Sequence, residues 1–381
     1  MRVCLVTNQY ASPYSGVGTY ARELARGLVK SGIQTSVLCP LEQQDDSQGI
    51  SFIPVYSGSK GTSHARWLSA ARVFSRQLGK NPDFDIVHFL DAREALRYRG
   101  RGPCVIGTVH DYYFARPLAF WEQRSHYPDW RRRLAYAVLV RILEPRAYSR
   151  AHVLIMNSEA TRARINEAYR LPPTKSKTVY IGIRISLPGE AVSSQKKTNT
   201  VLFVGGNPYR KGLSRLMRAI SFLRETNPNL ELWVVGTEIP ASLRSLAQRL
   251  GLKGGLVLYR SVPRATLIRL YEEATIFALP GVTEAFGLVF LEAMACGCPV
   301  IAPEDGGARE IIEDGTSGFL IPLDRDDLLT LRLSQLLNDP VLRQTIAEEG
   351  RRRLDHFSPE RMVTETIRLY QAAMNHHGYV L

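Results

Sequence analysis

Cysteine is scarce and unpaired in this sequence: there are five among 381 residues, an odd number, with no Cys-x-x-Cys spacing. A disulfide framework and a zinc site are thereby excluded, and a reducing compartment is expected. No apolar run approaches the ~18 residues needed to span a bilayer. The opening MRVCLVTNQY carries one Arg and a short apolar run, too short for a signal-peptide core, and reads as a buried strand. A cytoplasmic protein is expected, free or held peripherally at the inner face of the plasma membrane. Acidic residues are also short in number, and unevenly so. Residues 1–190 hold 27 Lys and Arg against 15 Asp and Glu, whereas the remainder holds 22 against 21. Nearly all of the formal +13 therefore belongs to the first half, which is built to meet something anionic.

What is present is globular. A hydrophobic share of 45% with 22% charged residues rules out a disordered or fibrous chain, and 381 residues suggest two domains. No short internal repeat is apparent. Short β-branched runs alternate with helical patterns: VCLVT, QTSVLCP, DIVHF, CVIGTVH and HVLIMNS come first. After the polar stretch RISLPGEAVSSQKKTNT the alternation restarts with TVLFVGG, ELWVVG, LVLYRSV, ATIFALP and CPVIAP. Such alternation predicts parallel sheets covered on both faces. The expected architecture is α/β: two Rossmann-like, doubly wound parallel-sheet domains facing a central cleft. The boundaries read as a first domain over 1–185, a linker over 186–199 and a second domain over 200–358, then a terminal segment over 359–381.

Two stretches carry candidate chemistry. In ALPGVTEAFGLVFLEAMACGCPV, Glu284 is placed in a loop and Glu292 inside the helix that follows. The amides of Phe286, Gly287, Leu288 and Val289 would point out of that helix start, where an anion is favoured. Two flanking carboxylates suit hydroxyls on either side of a diphosphate. Equally, Glu284 serves the helix dipole and Glu292 is a solvated helix residue; spacing leaves both readings open. In LFVGGNPYRKGLSRLMRAI, a strand and a Gly loop lead to a helix opening with Arg210-Lys211-Gly212. Two cations there can neutralise charge developing on a leaving group, the alternative being a solvated basic turn.

These segments resemble glycosyltransferase family 4, the retaining nucleotide-sugar transferases of the GT-B fold. The signature runs Glu, seven residues, Glu with Phe-Gly-Leu between, then Ala-Met-Ala-Cys-Gly-x-Pro-Val, Gly-Gly-x-x-Glu and Asp-Gly-x-x-Gly. This chain has EAFGLVFLE, AMACGCPV, GGARE and DGTSG in the same order. The resemblance implies that Glu284 contacts the transferred sugar, Glu292 the ribose, and the Phe286–Val289 amides the phosphates. It implies that Lys211, with Arg210, clamps the diphosphate. Gly206 stands where many members carry Arg, so Arg210 becomes the substitute. Gly16, Val17 and Gly18 of SPYSGVGTY match the family's Gly-rich loop, and His110 its sugar-contacting His with Asp111 as neighbour. Without the resemblance, the former is a tight turn and the latter a structural His. Ser261 and Val262 are expected to face the base. The helix at about 359–375 is expected to brace the first domain. No cofactor and no metal are expected, and Cys296 and Cys298 become packing residues. Asp83-Phe84-Asp85 lacks the Gly-rich context of a metal site.

The basic segment 115–150 mixes Trp and Tyr with Arg124, Arg131, Arg132, Arg133, Arg141, Arg146 and Arg150. Leu134, Val138, Leu139, Ile142 and Leu143 form an apolar stripe that either packs on the domain's own core or meets an anionic membrane. Expected partners are a nucleotide sugar and an acceptor glycan or lipid-linked acceptor, with no nucleic acid. The expected reaction is hexosyl transfer in polysaccharide, lipopolysaccharide or glycolipid synthesis. Its rivals are a nucleotide-sugar epimerase of the same fold and a non-catalytic nucleotide-sugar-binding protein.

Overall fold

The computed structural model describes residues 1–12, 15–44, 48–56, 66–80, 83–100, 102–112, 115, 130–185, 199–236, 238–282 and 284–376. The chain forms two compact units, one from Met1–Arg184 with Phe357–Leu381 and the other from Ile185–His356. The stretch read as a linker, 186–199, lies outside the described residues except for Asn199.

In the first unit, β1 (Arg2–Val6), β2 (Gln34–Pro40), β3 (Ile50–Val55), β4 (Ile86–Phe89), β5 (Cys104–Val109), β6 (Val153–Met156) and β7 (Ser176–Thr178) form one sheet. Its order is β3-β2-β1-β4-β5-β6-β7, and every pairing is parallel. All residues of β4 and β5 are buried, which explains why both are apolar apart from His88 and Thr108. In the second unit, β8 (Thr200–Val204), β9 (Glu231–Val235), β10 (Leu256–Tyr259), β11 (Ile276–Ala278), β12 (Val300–Pro303) and β13 (Phe319–Ile321) follow the same plan. Their order is β10-β9-β8-β11-β12-β13, again parallel throughout. Strand order reverses between β1 and β4 in one sheet and between β8 and β11 in the other. Loops leaving the carboxyl ends of such strands part to leave a crevice, the usual ligand position in open α/β sheets.

The chain's last described helix, Pro359–His376, returns to the first unit. Gly27 faces Val363 so closely that any side chain there would overlap it. Met362, Val363, Thr366, Tyr370, Ala373 and Met374 are buried. A polar chain pins the helix to the sheet: Tyr370 Oη lies 2.6 Å from His88 Nδ1, and His88 Nε2 lies 2.7 Å from Thr108 Oγ1. Thr108 in turn meets the Tyr20 hydroxyl at 3.1 Å. Burial pushes the His88 pKa down to about 3, so the ring is neutral at physiological pH. Tyr370→Phe leaves one buried ring nitrogen unsatisfied and should cost ~1–3 kcal/mol. Urea unfolding checks this, and an unchanged midpoint would contradict it.

Two helix starts differ from the sequence reading. The helix expected from Ala21 begins at Gly16, because Ser15 caps it and accepts from the Gly18 amide at 3.3 Å. Gly16, Val17 and Gly18 are thus its first turn rather than a loop. The helix after β8 begins at Leu213, behind Gly212 in the left-handed region at φ 80°. Arg210 and Lys211 consequently sit in the turn before that helix.

Candidate active site

The turn after β8 is locked to the turn after β11. Asn207 Oδ1 accepts from the Arg210 amide at 3.2 Å, and the Asn207 carbonyl accepts from the Lys211 amide at 3.1 Å. The Val282 amide donates to the Arg210 carbonyl at 2.8 Å, and Arg210 Nη1 donates back to the Val282 carbonyl at 3.3 Å. A side chain on Gly205 would take the space of the Lys211 methylenes, 2.6 Å from Cδ. Lys211 is therefore laid across the strand end and aimed at the β11 loop.

Glu284 meets it there. Its Oε2 lies 3.7 Å from Lys211 Nζ and 3.9 Å from Arg210 Nη1, ion-pair distances too long for hydrogen bonds. That oxygen is buried and has no hydrogen-bond partner, so it retains acceptor capacity for a hydroxyl. Burial lowers the Lys211 pKa, with the Glu284 charge opposing.

The following helix is Leu288–Ala295, with Gly287 as its N-cap at φ 103°. Any Cβ at Gly287 would lie 2.5 Å from Phe290 Cδ2 in addition to the backbone strain. The Leu288 and Val289 amides occupy the first two helical positions, which have no intrahelical acceptor. The GGARE loop seals this corner. Gly307 donates to the Glu284 carbonyl at 2.8 Å, and a side chain on it would strike Phe286 Cα at 2.5 Å.

Glu292 is buried in that helix and is not a solvated residue. Arg264 Nη1 donates to its Oε1, and the buried Tyr271 hydroxyl donates to Oε2 at 3.2 Å. The sequence reading missed both partners. Each carboxylate oxygen keeps a second lone pair, and the Arg264 side chain is 42% exposed, so the pair has an open edge. Ser261 is exposed and Val262 half-buried, between β10 and the helix that carries Arg264. Gly206 is the open position, since a Cβ there meets nothing within 4 Å. Cys296 and Cys298 are buried, and burial pushes the Cys296 thiol up to about 12, as befits packing residues. Among the described residues no three His, Cys, Asp or Glu side chains group as metal ligands. Asp83 and Asp85 pair with Arg2.

The remaining candidates lie in the first unit. His110 follows β5 and is held by the Leu90 carbonyl, 2.6 Å from Nε2. A carbonyl only accepts, so Nε2 carries the proton and Nδ1 the lone pair. The ring packs edge-on to Tyr20 at 5.2 Å, and burial lowers its pKa, with the Asp91 charge opposing. Asp111 reaches Arg93 Nη2 at 3.4 Å, so the Leu90 carbonyl is what orients the His110 ring.

Sequence reading also missed a buried charged cluster at this end of the sheet. Arg93 is paired with Asp91 at 2.9 Å and lies 3.9 Å from Glu144, which accepts from the Tyr169 hydroxyl. The charged run Asp91-Ala-Arg93-Glu94 directly after a buried strand was the available signal. Burial pushes the Glu144 pKa up to about 7 against 4.5 unfolded, with Arg93 opposing. The native state then binds more protons across that interval, so this contribution is complete below about pH 4.5 and lost as pH rises through about 7. Glu144→Gln should flatten that part of the stability–pH curve. Melting temperatures across the interval check it, and an unaltered slope would reassign the group.

No described helix is long and apolar enough to cross a membrane. The apolar stripe of the helix Trp130–Tyr148 divides between the two readings. Leu134 and Leu143 pack on Trp67, Ala137 and Val140, whereas Val138, Leu139 and Ile142 are exposed. Residues 116–129 of the basic segment, Arg124 among them, lie outside the described residues.

Known proteins agree with this architecture. Residues 14–187 match the family described as Glycosyltransferase Family 4, and residues 190–353 match Glycosyl transferases group 1. The D-inositol 3-phosphate glycosyltransferase of Kribbella flavida is 28% identical over 94% of this chain and 91% of its own length. Sucrose-phosphate synthase from Thermosynechococcus elongatus superposes with a TM-score of 0.78 at 19% identity, covering 99% of this chain and 100% of that one. Anabaena Alr3699/HepE, solved with UDP-glucose, gives 0.71 at 17% identity over 98% of this chain and 100% of its own. Two parallel α/β units of the GT-B kind and two consecutive family matches lead to one conclusion: the chain is a glycosyltransferase of family 4, group 1.

Proposed function

We propose that this glycosyltransferase moves a sugar from a nucleoside diphosphate to an acceptor hydroxyl with retention of configuration. The observation that carries the reading is the Lys211–Glu284 arrangement, a partly buried cation and an acceptor oxygen without a hydrogen bond. Lys211, Arg210 and the Leu288 and Val289 amides neutralise the departing diphosphate as its charge grows. Glu284 and His110 hold the sugar, and Glu292 takes the ribose through the open edge of its Arg264 pair. In this mechanism the acceptor attacks from the face the diphosphate leaves, and the leaving phosphate oxygen takes the acceptor's proton. HepE was solved with UDP-glucose, which makes UDP-sugars the first donors to try.

The acceptor is proposed to be a growing polysaccharide, a lipopolysaccharide or a lipid carrier at an anionic membrane face. Support comes from the basic first half and from exposed Val138, Leu139 and Ile142, which lie between exposed Arg131 and Arg146 on their helix. Thermal shift against a panel of nucleotide sugars tests the donor, and product analysis with labelled donor tests transfer. Tight donor binding without hydrolysis or transfer would instead make this a binding protein. Co-sedimentation with vesicles should need anionic lipid and fade with salt; protein left in the supernatant throughout would end the membrane reading.

A further inference from the structure

A second basic feature stands apart from the residues above. The helix Arg66–Leu78 places Arg72 and Arg76 on one face, four residues apart. The short 3-10 helix Ala92–Arg97 runs into Tyr98, which is extended at φ −72°, ψ 130° and buried. Arg97 and Arg99 flank it, and both are exposed where Tyr98 is buried. The two pairs line one cavity of about 420 Å³ together with Ser75 and Leu96. The Ser75 hydroxyl donates to the Arg97 carbonyl at 2.9 Å and ties the walls together. Leu96 anchors the floor by packing against Trp67, Ala137 and Val140.

Four exposed guanidiniums around one cavity repel one another, and no described acidic side chain pairs with them. The acids of this stretch are committed elsewhere: Asp83 and Asp85 to Arg2, Asp91 to Arg93, and Glu94 to the Asn8 amide. None of the described lining residues is acidic. Guanidinium forks match phosphate oxygens bidentately, and several around one group give a strong site at a surface where single ion pairs are weak.

We propose that the Arg72/Arg76/Arg97/Arg99 cavity binds a phosphate group, carried by a lipid headgroup or by a small soluble phosphate. The same layer of the unit presents Val138, Leu139 and Ile142 to solvent, through the helix that shares the Leu96 cluster. The site does not depend on the donor-site reading, because none of its residues belongs to that site.

The test uses the full chain in two arms. Flotation with phosphatidylcholine vesicles containing phosphatidic acid reads the lipid source, and calorimetry with glycerol phosphate and with pyrophosphate reads the soluble one. Arg76→Gln with Arg97→Gln should weaken vesicle binding roughly thirtyfold, and the corresponding lysine pair should fall between that variant and the parent. Pyrophosphate binding that Lys211→Ala removes and the Gln pair leaves intact belongs to the donor site and counts against this cavity as the soluble-phosphate site. Vesicle binding that pyrophosphate does not compete away assigns the lipid headgroup. Binding of soluble phosphate that the Gln pair abolishes assigns the small ligand. The proposal is overturned if the parent binds neither probe, or if the Gln pair, shown folded by its melting curve, binds like the parent.

Discussion

Lys211→Ala should lower turnover about a hundredfold or more while the fold survives, the magnitude seen when one pre-positioned group that stabilises transition-state charge is removed. The side chain lies on Gly205 and faces Glu284 at 3.7 Å, with Arg210 Nη1, 3.9 Å from the same oxygen, as a second cation. Burial lowers the Lys211 pKa, so water does not screen its charge as it would at the surface. The diphosphate gains charge as its bond to the sugar breaks, so an interaction aimed at it grows toward the transition state. The loss should therefore appear mainly in kcat, with a smaller change in KM. Lys211→Met keeps the bulk over Gly205 and should be equally inactive. Unchanged rates, or a defect confined to KM, would discard the clamp.

Glu292→Ala should have two effects of comparable weight. It leaves the buried Tyr271 hydroxyl without its acceptor and Arg264 without its counter-charge, for ~2–4 kcal/mol of stability. The partial exposure of Arg264 keeps the figure below that of a fully buried pair. It should also weaken donor binding at least about tenfold, in line with ~1.5–3 kcal/mol for a hydrogen bond to a charged group. Glu292→Gln separates the two, because its amide oxygen still accepts from Tyr271 while the charge is gone. The Gln variant should recover most of the melting temperature and remain weak for donor. Equal donor affinity of parent and Ala variant by calorimetry would end the ribose assignment and leave Glu292 as a structural ion pair.

Local pattern reading had reach where the signal is local. The largely apolar runs of β4 and β5 and the alternation of strands with helices specify parallel sheets, since only a doubly covered strand is apolar on both faces. EAFGLVFLE places Glu284 before its helix and Glu292 within it, because the φ of 103° at Gly287 breaks the helix there. Helix starts were less legible. A cap such as Ser15 depends on which amide its hydroxyl can reach, and Gly212 marks a boundary only once its backbone is known.

Partners distant in sequence lay beyond that reach. Lys211 meets Glu284 because β8 and β11 are neighbours in the sheet, with Ile276 opposite Val201, and sequence spacing carries no strand order. Arg264 and Tyr271 find Glu292 because two successive helices pack side by side. The stripe on Trp130–Tyr148 has the same periodicity whether it faces in or out, and packing alone exposes Val138, Leu139 and Ile142. By itself, then, the sequence determined the fold class, the family resemblance and the residues able to do chemistry. The tertiary structure decided which of them share an ion pair, which are exposed and which four arginines line one cavity, because side-chain type is a local property and proximity is set by topology.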